Sequence, residues 1–119
     1  ASKICGMNVI SFGGPFVNPV VKYAESNDTP DADRSPVKFR SDGEKFYFQY
    51  KNGTDIPGAW LPQSVINNNE DIFLIERFRD GDGRYIMLCY GFGWKGTYAA
   101  GKYFEREVYS ESVLCPFNC

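Results

Sequence analysis

Residues 84–104 read RYIMLCYGFGWKGTYAAGKYF, and this stretch decides the fold. Arg84 to Phe92 is the most apolar run of the chain, and its length suits a strand. It breaks at Gly91-Phe92-Gly93-Trp94-Lys95-Gly96-Thr97, a glycine-rich turn. Thr97 to Glu107 then carries Ala99, Ala100, Tyr103 and Phe104 at helical spacing. A second unit of the same kind lies near the start. Asn8 to Phe12 is a short strand, ended by Gly13-Gly14-Pro15. Phe16, Val17, Val20, Val21, Tyr23 and Ala24 follow at helical spacing, with Pro15 suited to the first turn, so a helix is expected to about residue 26. The two strand–glycine–helix units are expected to lie parallel and close together in one sheet.

The middle of the chain reads differently. Ser26 to Pro36 is polar and rich in turn residues. Val37–Arg40 and Lys45–Lys51 alternate around Ser41-Asp42-Gly43-Glu44, which predicts a hairpin with Phe46, Phe48 and Tyr50 on one face. Asn52 to Pro62 reads as a loop pinned by Trp60. Asp71 to Arg79 alternates again, with Ile72, Leu74 and Glu76 facing one way and Phe73, Ile75 and Arg77 the other. Asp80-Gly81-Asp82-Gly83 turns it into the apolar strand. The expected fold is α/β: a single domain over residues 1–119, with a mixed β-sheet, strand–glycine turn–helix units at both ends and β-hairpins in the middle.

Composition removes whole classes of chemistry. The 119 residues contain no histidine, so no Ser-His-Asp triad, Cys-His pair or His-ligated zinc is available. Thirteen basic residues are scattered among 15 acidic ones, for a formal charge of −2, which argues against a nucleic-acid partner. No apolar run approaches the ~18 residues of a membrane span. The chain starts at Ala1 with no signal-like stretch, as expected for a processed chain or a piece of a longer one.

Several motifs invite a ligand. Gly91-x-Gly93-x-x-Gly96 follows a strand and opens a helix, the form of a dinucleotide-binding turn. That fold needs a second strand with an acid about 20 residues on. Only 119 − 96 = 23 residues remain, ending in Cys115-Pro116-Phe117-Asn118-Cys119, so close packing is the expected role of the glycines. Gly13-Gly14-Pro15 is likewise expected to be a tight turn. Asp28, Asp31 and Asp33 form an acidic loop, the better of two candidates for Ca²⁺; Asp80-x-Asp82-Gly83 lacks the downstream glutamate of a calcium loop. No other cofactor is indicated.

The four cysteines fit an oxidising compartment and allow three pairings. With the end strands parallel, Cys5 and Cys89 fall at opposite ends of the sheet. Cys5–Cys115 and Cys89–Cys119 are then the favoured bridges. The alternatives are intermolecular bridges and a Cys89 that is a small core residue. Asn27-Asp28-Thr29 and Asn52-Gly53-Thr54 are N-glycosylation sequons, Pro30 weakening the first.

Two segments carry a resemblance. NVISFGGPFVNPVVKYA is similar to the V-I-V-x-G-G-P-x-x-N-x-x-V segment that opens a domain of archaeal S-layer proteins. ERFRDGDGRYIMLCYGFGWKGTYAAGKYF resembles that domain's closing stretch, with Gly96, Thr97, Ala99 and Ala100 on its G-T-x-A-A positions. Residues 27–70 do not align. The resemblance implies a secreted, often glycosylated, non-enzymatic domain that assembles with itself or with other surface-layer proteins at the cell surface, as a lattice, sheath or filament subunit. Phe46, Phe48, Tyr50, Trp60 and Trp94 are the expected assembly interface, since Tyr and Trp concentrate at interfaces. The alternatives are a small module or enzyme that binds a phosphate or nucleotide at Gly91–Thr97, and one that stacks carbohydrate on its aromatics.

Overall fold

A computed structural model describes residues 9–66 and 70–109 of the chain. Six strands form two three-stranded sheets. The first has the order β1-β6-β5: β1 (Val9–Phe12), β5 (Phe73–Arg79) and β6 (Tyr85–Gly91). β1 runs parallel to β6, with Val9 opposite Ile86 and Phe12 opposite Cys89. β5 is antiparallel to β6, with Phe73 opposite Gly91 and Arg79 opposite Tyr85. The two strand–glycine–helix units are therefore neighbours and parallel, as the sequence predicts.

The second sheet is an antiparallel meander of β2 (Val37–Ser41), β3 (Lys45–Tyr50) and β4 (Asp55–Pro62). Its hairpin turns at Asp42, whose carboxylate accepts from the N–H groups of Glu44 and Lys45. Two expectations are corrected here. The strands divide into two sheets, one mixed and one antiparallel, in place of the one mixed sheet expected; the fold is mostly β with some helix, in coarse agreement with the α/β class. The segment expected to be a loop pinned by Trp60 is the edge strand β4, where Trp60 pairs with Tyr47. Pro57 and Gly58 hide it from a reading by propensity, but an edge strand tolerates both.

Two α-helices flank the sheets: α1 (Pro19–Glu25) and α2 (Trp94–Tyr103), which continues as one π-helical stretch from Phe104 to Tyr109. Both starts differ from the periodicity reading. α1 begins at Pro19, not Pro15, because Asn18 is the cap: its Oδ1 accepts from Val20 N at 3.0 Å. The Asn18 amide also donates to Ser11 Oγ at 2.7 Å and to the Phe12 carbonyl at 2.9 Å, tying the helix start to the end of β1. α2 begins three residues earlier than expected, directly after Gly93.

The central strand β6 explains the layering. Ile86, Leu88 and Tyr90 point to one side and pack with Val21, Ala24, Phe48 and Phe92 between the sheets. Met87 and Cys89 point to the other and pack with Ala100 and Phe104 under α2. A strand covered on both faces has no polar side to show, hence its unbroken apolar run. The intersheet core is largely aromatic. Phe48 lies 4.8 Å from Phe92 and 5.7 Å from Tyr90 between ring centroids, and Phe39 lies 5.0 Å from Phe46.

Phe48 is 3% exposed, so Phe48→Ala is expected to cost about 3–5 kcal/mol. Trp60→Ala, on the solvent face of β4, is expected to cost under about 1 kcal/mol. Urea unfolding of the two variants distinguishes these outcomes.

Candidate functional site

Three arrangements concentrate the chemistry of the described residues: a buried carboxyl joint, a filled helix turn, and the exposed aromatics.

The joint forms where edge strand β2 faces the first sheet. Val37 N donates to Glu76 Oε1 at 3.2 Å, and Phe39 N donates to Glu25 Oε1 at 3.0 Å. The Tyr90 hydroxyl donates to Glu25 Oε2. The second Glu76 oxygen, Oε2, is buried without a hydrogen-bond partner among the described residues. Burial therefore dominates both carboxyls. It pushes Glu25 up to about 7 against the opposing effect of the Tyr90 and Phe39 hydrogen bonds. It pushes Glu76 up to about 8, with the Glu25 charge adding to the rise. The Tyr90 hydroxyl is raised by burial and by Glu25. The alternation of residues 71–79 puts Glu76 on the same face as Ile72 and Leu74, and the structure buries that position. No pattern in the sequence pointed to Glu25, the last residue of α1.

The turn at Gly91–Thr97 is occupied from within. Asp71 Oδ1 accepts from Phe92 N at 2.9 Å, and Asp71 Oδ2 accepts from Gly93 N at 3.0 Å and Gly96 N at 2.7 Å. Thr97 Oγ1 closes the other side by accepting from Gly91 N at 3.0 Å. The carboxylate sits where a phosphate would meet the amides and positive end of a helix. The glycines serve close approach: a Cβ at Gly91 would lie 2.3 Å from Gly96 Cα, and one at Gly96 would lie 2.6 Å from the Asp71 carboxyl carbon. The N–H groups of Phe92, Gly93 and Gly96, which the alternative reading would offer to a phosphate or nucleotide, are thus bonded to Asp71.

The acidic loop does not converge. Asp31 pairs with Lys51 at 3.3 Å. Asp33 accepts from Gly81 N at 2.7 Å and from the Tyr23 hydroxyl at 2.9 Å, stitching the loop to the β5–β6 turn. Asp28 is exposed near Ser26, whose Oγ accepts from Asp28 N. Among the described residues, no group of three His, Cys, Asp or Glu side chains is placed to hold a metal.

The expected interface residues separate. Phe48 is core and Phe46 is half-buried against Phe39 and Phe92, so the hairpin face expected to be an interface points inward and packs on the first sheet. Tyr50, Trp60 and Trp94 are exposed. Tyr98, which the interface reading passed over, is exposed beside Trp94 on α2. The sequon residues Asn27 and Asn52 are both exposed. Cys89 is a free, fully buried thiol that burial pushes up to about 12, which makes it inert as a nucleophile. Cys5, Cys115 and Cys119 lie outside the described residues. Among those residues, no helix is long and apolar enough to cross a membrane.

No protein-family model matches the chain, and neither curated proteins nor solved structures gave a match.

The carboxyl joint sets a pH dependence. Folding raises Glu25 and Glu76 above the ordinary 4.5, so the folded chain binds more protons than the unfolded one between about pH 4.5 and 8. Stability is full below that window and falls as pH rises through it. Glu76→Gln keeps the acceptor for Val37 N and removes the charge. Its thermal melts are expected to lose most of the decline and to gain on the order of 3 kcal/mol over the parent at pH 9.

Proposed function

We propose that this chain is a structural, non-enzymatic extracellular protein that self-assembles in or on the cell surface, as a subunit of a lattice, sheath or filament. The observation that carries the reading is the outer face of α2. Trp94 is 65% exposed and Tyr98 is 63% exposed there, one helical turn apart. Side chains of this size left together in solvent mark interaction surfaces, and both residue types are enriched at interfaces.

Three features support it. The segments that resemble an archaeal S-layer domain are β1–turn–α1 and β6–turn–α2, and their strands pair side by side. The perturbed acids, Glu25 and Glu76, are engaged in joining the layers, and the glycine turn is filled by Asp71. The sequon asparagines are exposed, as glycan attachment outside the cell requires.

Sedimentation velocity and negative-stain microscopy of the chain over a wide concentration range test the reading. Higher-order species that grow with concentration are expected. The double variant Trp94→Ala/Tyr98→Ala is expected to raise the concentration at which they appear by about tenfold or more. A monomer at every concentration overturns the reading.

A further inference from the structure

The self-assembly reading leaves open which surfaces meet, and two on opposite sides of the first sheet are complementary.

One is the outer face of α2. Trp94, Lys95, Tyr98 and Lys102 fall within one arc of about 100° at 3.6 residues per turn, opposite the buried Gly96 and Ala100. The lysines lie over the rings, Lys95 Nζ 5.6 Å from the Trp94 centroid and Lys102 Nζ 5.8 Å from that of Tyr98. The face is therefore aromatic and basic.

The other is a groove of about 510 Å³ between α1 and the ends of β1, β5 and β6. Its floor is apolar, with Val20, Ala24, Phe78 and Ile86. Its rim carries Asp33, Asp80 and Asp82. Among the described residues, Arg84 is the one cation on the rim, and it is bound to Asp80, its Nη2 at 2.9 Å and its Nε at 2.9 Å from Asp80 Oδ2. Among the described residues, no cation on the rim pairs with Asp33 or Asp82. The hydroxyl of Tyr23, also on the rim, is raised first by the Asp33 hydrogen bond, then by burial, and further by the charges of Asp33, Asp82 and Asp80. The groove is apolar and acidic.

We infer that the occupant of the groove is the α2 face of a second copy of this chain, joined head to tail. The proposal rests on the self-assembly reading and specifies its geometry. Aromatic rings fit an apolar floor, and lysines meet aspartates at the rim. Pairing of like faces sets lysines on lysines or aspartates on aspartates, so a symmetric dimer through either face is disfavoured. Within β6 the alternation assigns the faces: Ile86 floors the groove, while Met87 and Cys89 pack under α2. One chain cannot bring its own two faces together across that sheet. A head-to-tail contact of this kind propagates from copy to copy.

Charge reversal tests it. Lys95→Glu/Lys102→Glu alters only the helix face and Asp82→Lys only the groove, all at exposed positions. Each variant alone is expected to raise the assembly concentration by about tenfold or more. Mixed one to one they are expected to assemble again in alternation, because the native helix face meets a native groove and the acidic helix face meets a rim that now carries a lysine and no net negative charge. Circular dichroism confirms that each variant is folded. As a second measurement, a photo-crosslinking residue in place of Tyr98 is expected to join peptides containing Val20 or Phe78, in isotope-mixed pairs of chains. Assembly that withstands both reversals, a mixture that stays dispersed, or links confined to one chain or mapping elsewhere overturns the head-to-tail contact and leaves self-assembly standing. A wild-type chain that never assembles overturns both.

Discussion

The first sheet meets the second through hydrogen bonds that a strand would ordinarily make to another strand. β2 is the edge of its meander, and the N–H groups of Val37 and Phe39 point away from β3. They meet carboxyls from β5 and α1 in place of a further strand. A three-stranded meander is marginal alone and needs a packed face. The carboxyls hold its edge against the first sheet while Phe39, Phe46 and Phe48 fill the space between. The same contacts close an edge that would otherwise template pairing with another chain. The arrangement is costly, because two acids are enclosed near each other and one Glu76 oxygen has no hydrogen-bond partner among the described residues. The shifted carboxyls record that cost.

Much of this architecture was legible from side-chain period alone. The alternation of residues 71–79 sets Glu76 on one face with Ile72 and Leu74, and the unbroken apolar run of β6 fits a strand covered on both sides. The Asp-Gly turns mark the β2–β3 and β5–β6 hairpins. Elements whose structure depends on distant backbone were not legible. Asp71 bonds amides 21 to 25 positions away, and Glu25 bonds one 14 positions away; such contacts leave no periodic trace. β4 was hidden because Pro57 and Gly58 suit an edge strand as readily as a loop. Phe46, Phe48 and Tyr50 alternate onto one face in the sequence, and the structure turns Phe46 and Phe48 inward and leaves Tyr50 exposed; sequence alone does not tell a face turned to its own chain from one turned to a partner.

The glycine turn illustrates the same limit. Its spacing matches a nucleotide-binding pattern because both uses need backbone brought close to an anion at the start of a helix. Here the anion is covalently part of the chain. Pattern and geometry agree while the ligand differs.

That internal anion has an environmental consequence. Asp71 is partly enclosed and bonded directly to amides, so dissolved ions screen the contact far less than they screen charges in open solvent. Lys102 and Asp82 lie in open solvent and feel ionic strength in full. Brine and fresh water would leave the seat of α2 alike and treat the outer faces differently. Ionic strength therefore acts on the outer charges far more than on the internal contact that seats α2.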